Sequence, residues 1–95
     1  MKTIVIKGKL YKWHGPSAWY FLSSTKKQGE DLRSDVKKRV GWGSRRVKVA
    51  IGETVFNTSL FPTKEGPYLL PVKASVRKQE NLNEGSTVTA VCSLM

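Results

Sequence analysis

The chain has 95 residues, of which 39% are hydrophobic and 25% are charged. This length accommodates one domain, and the composition is that of an ordinary globular protein rather than a disordered one. Seventeen Lys and Arg against seven Asp and Glu give a formal net charge of +10, which favours polyanionic partners such as nucleic acid without defining a site. The single cysteine excludes an intramolecular disulfide, and one cysteine with one histidine cannot furnish a His/Cys zinc site.

The N-terminal stretch predicts a protein without a membrane anchor. Only three consecutive apolar residues, 4–6, precede Lys7, which is too short a run for a signal-peptide core or a membrane span. The lone cysteine suits a reducing compartment. We therefore expect a cytoplasmic protein with no membrane partner.

The first half of the chain predicts two strands, a helix and a third strand. Alternation of apolar and polar residues over 2–13 predicts the first strand, and the aromatic run 18–22 predicts a second strand that pairs with it as a hairpin. Alternation over 45–51, with Arg46 and Lys48 on the outer side, predicts the third strand.

The helix of this half is indicated by apolar residues that recur every four positions, at Leu32, Val36 and Val40. Residues 23–25 are candidate caps, and Gly29 weakens the first turn, so the helix start falls between 25 and 30. The glycines in 41–43 end it, because glycine tolerates the left-handed conformation that terminates helices.

The second half repeats this order. After a tight turn at Gly52-Glu53, strands are predicted at 54–61, 68–70 and 86–94, with a helix at about 72–79. Pro71 marks the corner between strand and helix, since a proline at a helix start removes only an amide that would be unsatisfied there. Cys92 alternates with apolar residues in the last strand and is predicted to be buried and unreactive.

These elements predict a mainly β fold with two short helices. The order β-β-α-β occurs twice, in residues 3–51 and 54–94, and six strands favour a closed or nearly closed barrel that leaves no exposed edge. Because two such units supply all six strands, we expect a barrel completed within one chain. A monomer is therefore expected. The alternative is a weak oligomer formed through surface contacts.

Several segments resemble the family known as domain of unknown function 1905 (DUF1905). They include Trp42-Gly43-Ser44, Thr58-Ser59-Leu60-Phe61-Pro62 and Tyr68-Leu69-Leu70-Pro71-Val72-Lys73. The resemblance spans nearly the whole chain as a single domain, 1–95. It implies a six-stranded double-split β-barrel related to the AbrB and MazE transition-regulator fold, in which many AbrB-type members bind DNA. It implies no established activity.

No catalytic arrangement is evident in the sequence. The only histidine, His14, lies beside a Gly-Pro turn, where an exposed turn residue is the simpler interpretation. There is no glycine-rich phosphate loop and no zinc-protease or hydrolase motif. We expect a binding module that is not an enzyme and uses neither a cofactor nor a metal.

A basic run gives the first functional hypothesis, weak nucleic-acid binding. Six cations occur within a dozen residues with no acid among them, and Trp42 lies between them as a stacking surface. The candidate residues are Lys37, Lys38, Arg39, Trp42, Arg45, Arg46 and Lys48. The alternative interpretation is that the run is a solvated face whose lysines also complement the helix dipole.

The second hypothesis places a protein or a small ligand in a groove near Thr58–Pro62. Thr58 and Ser59 are polar and adjoin Phe61, so the three side chains together can line a binding groove. The structural alternative is a strand followed by a loop anchor, in which either Leu60 or Phe61 packs inward because they lie on opposite faces.

Overall fold

The computed structural model describes residues 3–14, 18–34 and 44–95. This part of the chain forms seven strands and two helices. They are β1 (Thr3–Lys9), β2 (Tyr11–His14), β3 (Ala18–Ser23), α1 (Lys26–Ser34), β4 (Arg45–Ile51), β5 (Thr54–Pro62), β6 (Tyr68–Pro71), α2 (Ala74–Gln79) and β7 (Thr87–Leu94).

The strands form one antiparallel sheet in the order β1-β7-β4-β5-β6-β3-β2. The sheet curls so that β1 also contacts β3, which makes the fold a half-barrel. The mainly β fold with two helices is thus confirmed. The prediction of six strands in a closed barrel is wrong, because the structure has seven strands and a half-barrel.

The additional strand arises at Leu10, where the predicted first strand is interrupted. The Leu10 amide donates to the Ser86 carbonyl at 2.8 Å, and the Gly85 amide donates to the Leu10 carbonyl at 2.7 Å. These bonds separate β1, which pairs with β7, from β2, which forms the predicted hairpin with β3. One bent segment therefore serves both ends of the sheet.

Period-2 alternation directs one side of each strand into a single core. The inner side chains of β4 and β7 include Val47, Val49, Val88 and Ala90, all at most 2% exposed. Cys92 belongs to the same layer and has no exposed surface, which confirms its predicted burial. Burial raises the pKa of the Cys92 thiol to about 11, since an apolar environment disfavours the thiolate.

The helices close this core. Leu32 of α1 and Val76 of α2 are buried, whereas Val36 and Val40 lie outside the described residues. α1 begins with a capping box: the Gln28 amide donates to Thr25 Oγ1 at 3.1 Å, and the Thr25 amide donates to Gln28 Oε1 at 3.0 Å. This confirms a cap in the predicted segment 23–25.

Short connections position the strands and the helix in the second half of the chain. Gly52 and Glu53 form a two-residue turn between the paired residues Ile51 and Thr54, and Gly52 has a φ of +57°. The Thr54 hydroxyl donates to the Glu80 carboxylate at 2.5 Å, which ties this turn to the end of α2. A strand-to-helix change does follow Pro71, but Pro71 is the last residue of β6 and α2 begins only at Ala74, so the proline does not stand at the helix start as predicted.

Candidate ligand-binding groove

A groove forms where β5 separates from the strand beside it. β5 pairs with β4 over Thr54–Leu60, but pairs with β6 only at Phe61 and Pro62. Because the chain leaves β6 at Pro71 and enters α2, a gap of about 480 Å³ opens between β5, β3 and the start of α2. Ligand sites in proteins commonly have this volume.

The groove combines aromatic, polar and cationic side chains. Its lining residues are Trp19, Tyr20, Arg46, Phe56, Asn57, Thr58, Ser59, Phe61, Pro71, Val72, Lys73, Ala74 and Arg77. No Asp or Glu is among these residues in the part of the chain that the structure describes.

The structure brings the three predicted groove residues together. Thr58 and Ser59 are partly exposed in the groove wall, and Phe61 is exposed at its rim. Leu60 is fully buried, as expected if it and Phe61 lie on opposite faces of β5. The hydroxyls of Thr58 and Ser59 can each donate and accept one or more hydrogen bonds.

Two of the groove cations are held against aromatic rings. The Arg77 guanidinium lies 3.7 Å from the centroid of the Tyr20 ring, and Arg77 Nε donates to the Val72 carbonyl at 3.2 Å. The Lys73 ammonium lies 5.9 Å from the centroid of the Phe56 ring. Both arrangements are cation–π contacts, which orient a cation without neutralising its charge.

Arg46 completes a set of three cations, and it approaches from β4 on the other side of β5. Among the described residues, no carboxylate lines the groove beside Arg46, Lys73 and Arg77. Their charges therefore add, and the groove carries a positive potential that attracts anions.

The predicted basic run is divided by the structure. Lys37, Lys38, Arg39 and Trp42 lie outside the described residues. Arg45 is 1% exposed and belongs to the inner side of β4, so it is not part of an outer basic surface. Arg46 and Lys48 are exposed on the outer side, but only Arg46 lines the groove.

Sequence reasoning assigned neither Lys73 nor Arg77 to a site, although Lys73 ends the segment 68–73 that carried the family resemblance and Arg77 lies four residues beyond it. Lys73 immediately precedes α2 and Arg77 lies one turn later, so the two share a helix face. The four-residue spacing could have indicated that Lys73 and Arg77 lie on one side of the helix. Their proximity to Arg46 could not be predicted from the sequence, because it depends on the separation of β5 from β6.

The described residues contain no group of three or more His, Cys, Asp or Glu side chains close enough to hold a metal ion. The His14 side chain lies outside the described part of the chain. Neither described helix has the length and apolar character needed to cross a bilayer. The arrangement that the structure does present, cations beside aromatic rings and hydroxyls, suits an anion attached to a planar group.

Comparison with known proteins agrees with the resemblance found in the sequence. No curated protein and no solved structure matches the chain. The family model described as domain of unknown function DUF1905 matches residues 7–91, which include every residue that lines the groove. The chain belongs to the DUF1905 family.

Proposed function

We propose that this domain is a non-enzymatic module that binds nucleic acid weakly, with its phosphate contacts in the groove. The observation that carries the proposal is the convergence of Arg46, Lys73 and Arg77 on one groove whose described lining contains no acid. A phosphate backbone offers the matching charge, and its condensed counterions are released on binding.

The groove also continues onto the neighbouring surface. Trp19 and Phe61 line it and at the same time face a second concave area on the outer side of β2, β3 and β6. A ligand longer than the groove, such as a nucleic-acid chain, can therefore extend beyond it. Since cations that contact phosphates read no base sequence, we expect weak sequence preference.

Two expectations from the sequence, one on fold kinship and one on location, accompany this proposal. The predicted kinship with the AbrB and MazE fold, in which many AbrB-type members bind DNA, remains a prediction that supports this function. The buried Cys92 thiol suits a reducing compartment, and we propose a cytoplasmic location for the activity.

A small anionic ligand is the second candidate. The groove is concave, and Arg77 is already fixed by Tyr20 and by the Val72 carbonyl near the hydroxyls of Thr58 and Ser59. Such preorganisation favours a compact ligand because less side-chain freedom is lost on binding.

Salt dependence of binding tests the proposal. We would titrate labelled oligonucleotides and replace Arg46, Lys73 and Arg77 together by glutamine. If each cation contacts one phosphate, the slope of log affinity against log salt should flatten by about 2 to 3, from 0.7 to 0.9 per phosphate.

The control carries the same loss of charge elsewhere. Lys7, Lys9 and Lys27 are exposed and do not line the groove, so their joint replacement by glutamine should leave most of the slope intact. Equal flattening in both variants, or no association at about 50 mM salt, where screening is weak, contradicts nucleic-acid binding through the groove. Saturable binding of a nucleoside monophosphate without oligonucleotide binding would instead favour the second candidate.

A further inference from the structure

The outer side of β2, β3, β5 and β6 carries a continuous set of large apolar side chains, which we call the aromatic surface. Its members are Tyr11, Trp13, Trp19, Phe21, Phe61 and Leu69, and they enclose a shallow concavity of about 370 Å³. Trp13 is 50% exposed and Trp19 is 49% exposed. Exposed apolar areas of this kind commonly mark binding sites.

Strand register places these rings side by side. Trp13 pairs with Trp19, Tyr11 pairs with Phe21, and Phe61 pairs with Leu69. Because residues two apart on a strand share a face, all six side chains point to the same outer side. The aromatic rings therefore lie next to one another on one face of the sheet, both across paired strands and along each strand.

The rings are also fixed in orientation by their neighbours. Trp19 and Phe21 have nearly parallel planes, 11° apart, with centroids separated by 6.0 Å. Tyr11 packs against Phe21 at the same centroid distance, tilted by 40°. Partial burial raises the pKa of Tyr11 above its usual value.

The aromatic surface and the cationic groove are parts of one continuous site. Trp19 and Phe61 belong to both, and the described lining of each area contains no acidic residue. Proteins that bind single strands combine these two features, since aromatic side chains stack on bases while a basic channel follows the phosphates. Bases in a duplex are already stacked on one another and cannot lie on these rings.

We propose that unpaired bases stack on the aromatic surface while their phosphates enter the groove, so that the preferred ligand is single-stranded nucleic acid. This inference rests on the proposed function and narrows it. The strand would run from Trp13 and Trp19 toward Phe61, Arg46 and Arg77.

Binding of matched oligonucleotides tests the inference. A labelled single-stranded 12-mer should bind at least about tenfold more tightly than the duplex of the same length. Replacing Trp13 or Trp19 by alanine should weaken single-strand binding roughly 5-fold to 150-fold, the range that corresponds to loss of one stacked base. Trp13→Phe, which keeps an aromatic ring, should retain most of the affinity.

Controls distinguish loss of base stacking from misfolding and from nonspecific binding to exposed apolar side chains. Val55 and Val91 are similarly exposed but lie outside the aromatic surface, so Val55→Ala and Val91→Ala should bind as the unaltered protein does. Thermal melting of Trp13→Ala and Trp13→Phe checks that both variants are folded in the titration.

Four outcomes would overturn the inference. Equal affinity for duplex and single strand, or unchanged binding by folded Trp13→Ala and Trp19→Ala, would remove base stacking while leaving the groove proposal intact. Salt-sensitive binding to vesicles of anionic phospholipid in place of oligonucleotides would assign the rings to a membrane surface. Failure to bind any nucleic acid would remove the proposed function as well.

Discussion

Two areas on the outer side of one sheet are equally exposed but chemically different. Val5, Val91, Ala50 and Val55 face each other across β1, β7, β4 and β5, and we call this row the aliphatic surface. Its valines are 40% to 55% exposed, and the Tyr, Trp and Phe61 side chains of the aromatic surface are 38% to 50% exposed. Exposure alone therefore does not distinguish a candidate site from an ordinary strand face.

Strand propensity does not separate the two areas, because β-branched and aromatic residues are both favoured in strands. The difference lies in the neighbours of the side chains. Two residues of the aromatic surface, Trp19 and Phe61, also line a groove with three cations. Planar rings beside cations, rather than apolarity alone, therefore identify the candidate site.

The largest expected effect comes from breaking the core beneath both areas. Leu60 is fully buried on the inner side of β5, the strand that also carries Val55 and Phe61 on its outer side. Leu60→Ala should lower the free energy of unfolding by about 2–5 kcal/mol, because a cavity replaces packed atoms. Urea denaturation followed by tryptophan fluorescence and far-ultraviolet circular dichroism measures this.

Val55→Ala on the same strand is the matched control, and it should change the free energy of unfolding by no more than about 0.5 kcal/mol. If one core carries both areas, the two probes should report a single transition in Leu60→Ala. Separate transitions would show that the aliphatic and aromatic parts of the sheet are independent units.

A medium effect is expected at the turn between β4 and β5, which bounds the aliphatic part of the sheet. An alanine Cβ at Gly52 would collide with the Glu80 carboxylate, and the positive φ there already disfavours any residue but glycine. Gly52→Ala should therefore cost about 1–3 kcal/mol of stability. Oligonucleotide affinity of the folded fraction should be unchanged.

Gly8→Ala is the corresponding control. A Cβ at Gly8 would meet no atom within 4 Å, so this substitution should be neutral or stabilising by up to about 1 kcal/mol. Equal destabilisation at Gly8 and Gly52 in thermal melts would show that neither the positive φ nor the Glu80 contact makes Gly52 more sensitive than Gly8.

The smallest expected change in the free energy of unfolding is its pH dependence, which arises from Cys92 on the inner side of β7. Cys92 faces the core next to exposed Val91, and burial raises its pKa to about 11. The folded state therefore holds the thiol proton more tightly than the unfolded state, so this contribution to stability is complete at low pH. It should be lost as pH rises from the thiol's ordinary range toward 11.

Unfolding free energies at pH 8 and pH 10 for the unaltered protein and for Cys92→Ala isolate this contribution. The unaltered protein should lose more stability over that interval than Cys92→Ala does. Labelling of the native thiol at pH 8 should also be far slower than in denaturant. Equal pH dependence together with rapid native labelling would place Cys92 outside the core.

Local patterns predicted the strands well because alternation is a property of each strand alone. β4 coincides with the predicted 45–51, and β5 and β7 differ from their predictions by one residue at one end. The interruption at Leu10 was not predictable, since the alternation continues through it. The bonds that divide β1 from β2 come from Gly85 and Ser86, far along the chain.

The candidate site was predicted only in part for the same reason. Thr58, Ser59 and Phe61 are neighbours in sequence and meet in the groove, whereas Arg77 and Trp19 reach it from other elements. The inward position of Arg45 could have been predicted from the sequence but was not. The alternation that directs Arg46 outward in β4 also directs Arg45 inward, so the density of basic residues overstated the outer charge.

Nuclear magnetic resonance can determine whether single strands contact the aromatic surface and the groove or the aliphatic surface. A single-stranded 12-mer would be titrated into ¹⁵N-labelled protein, with the backbone amides and the tryptophan indole Nε1–H groups observed. We expect saturable shifts at Trp13, Trp19, Phe61 and Arg77, with Val5 and Val91 unchanged. Shifts confined to the aliphatic surface, or spread evenly over both surfaces, would contradict it.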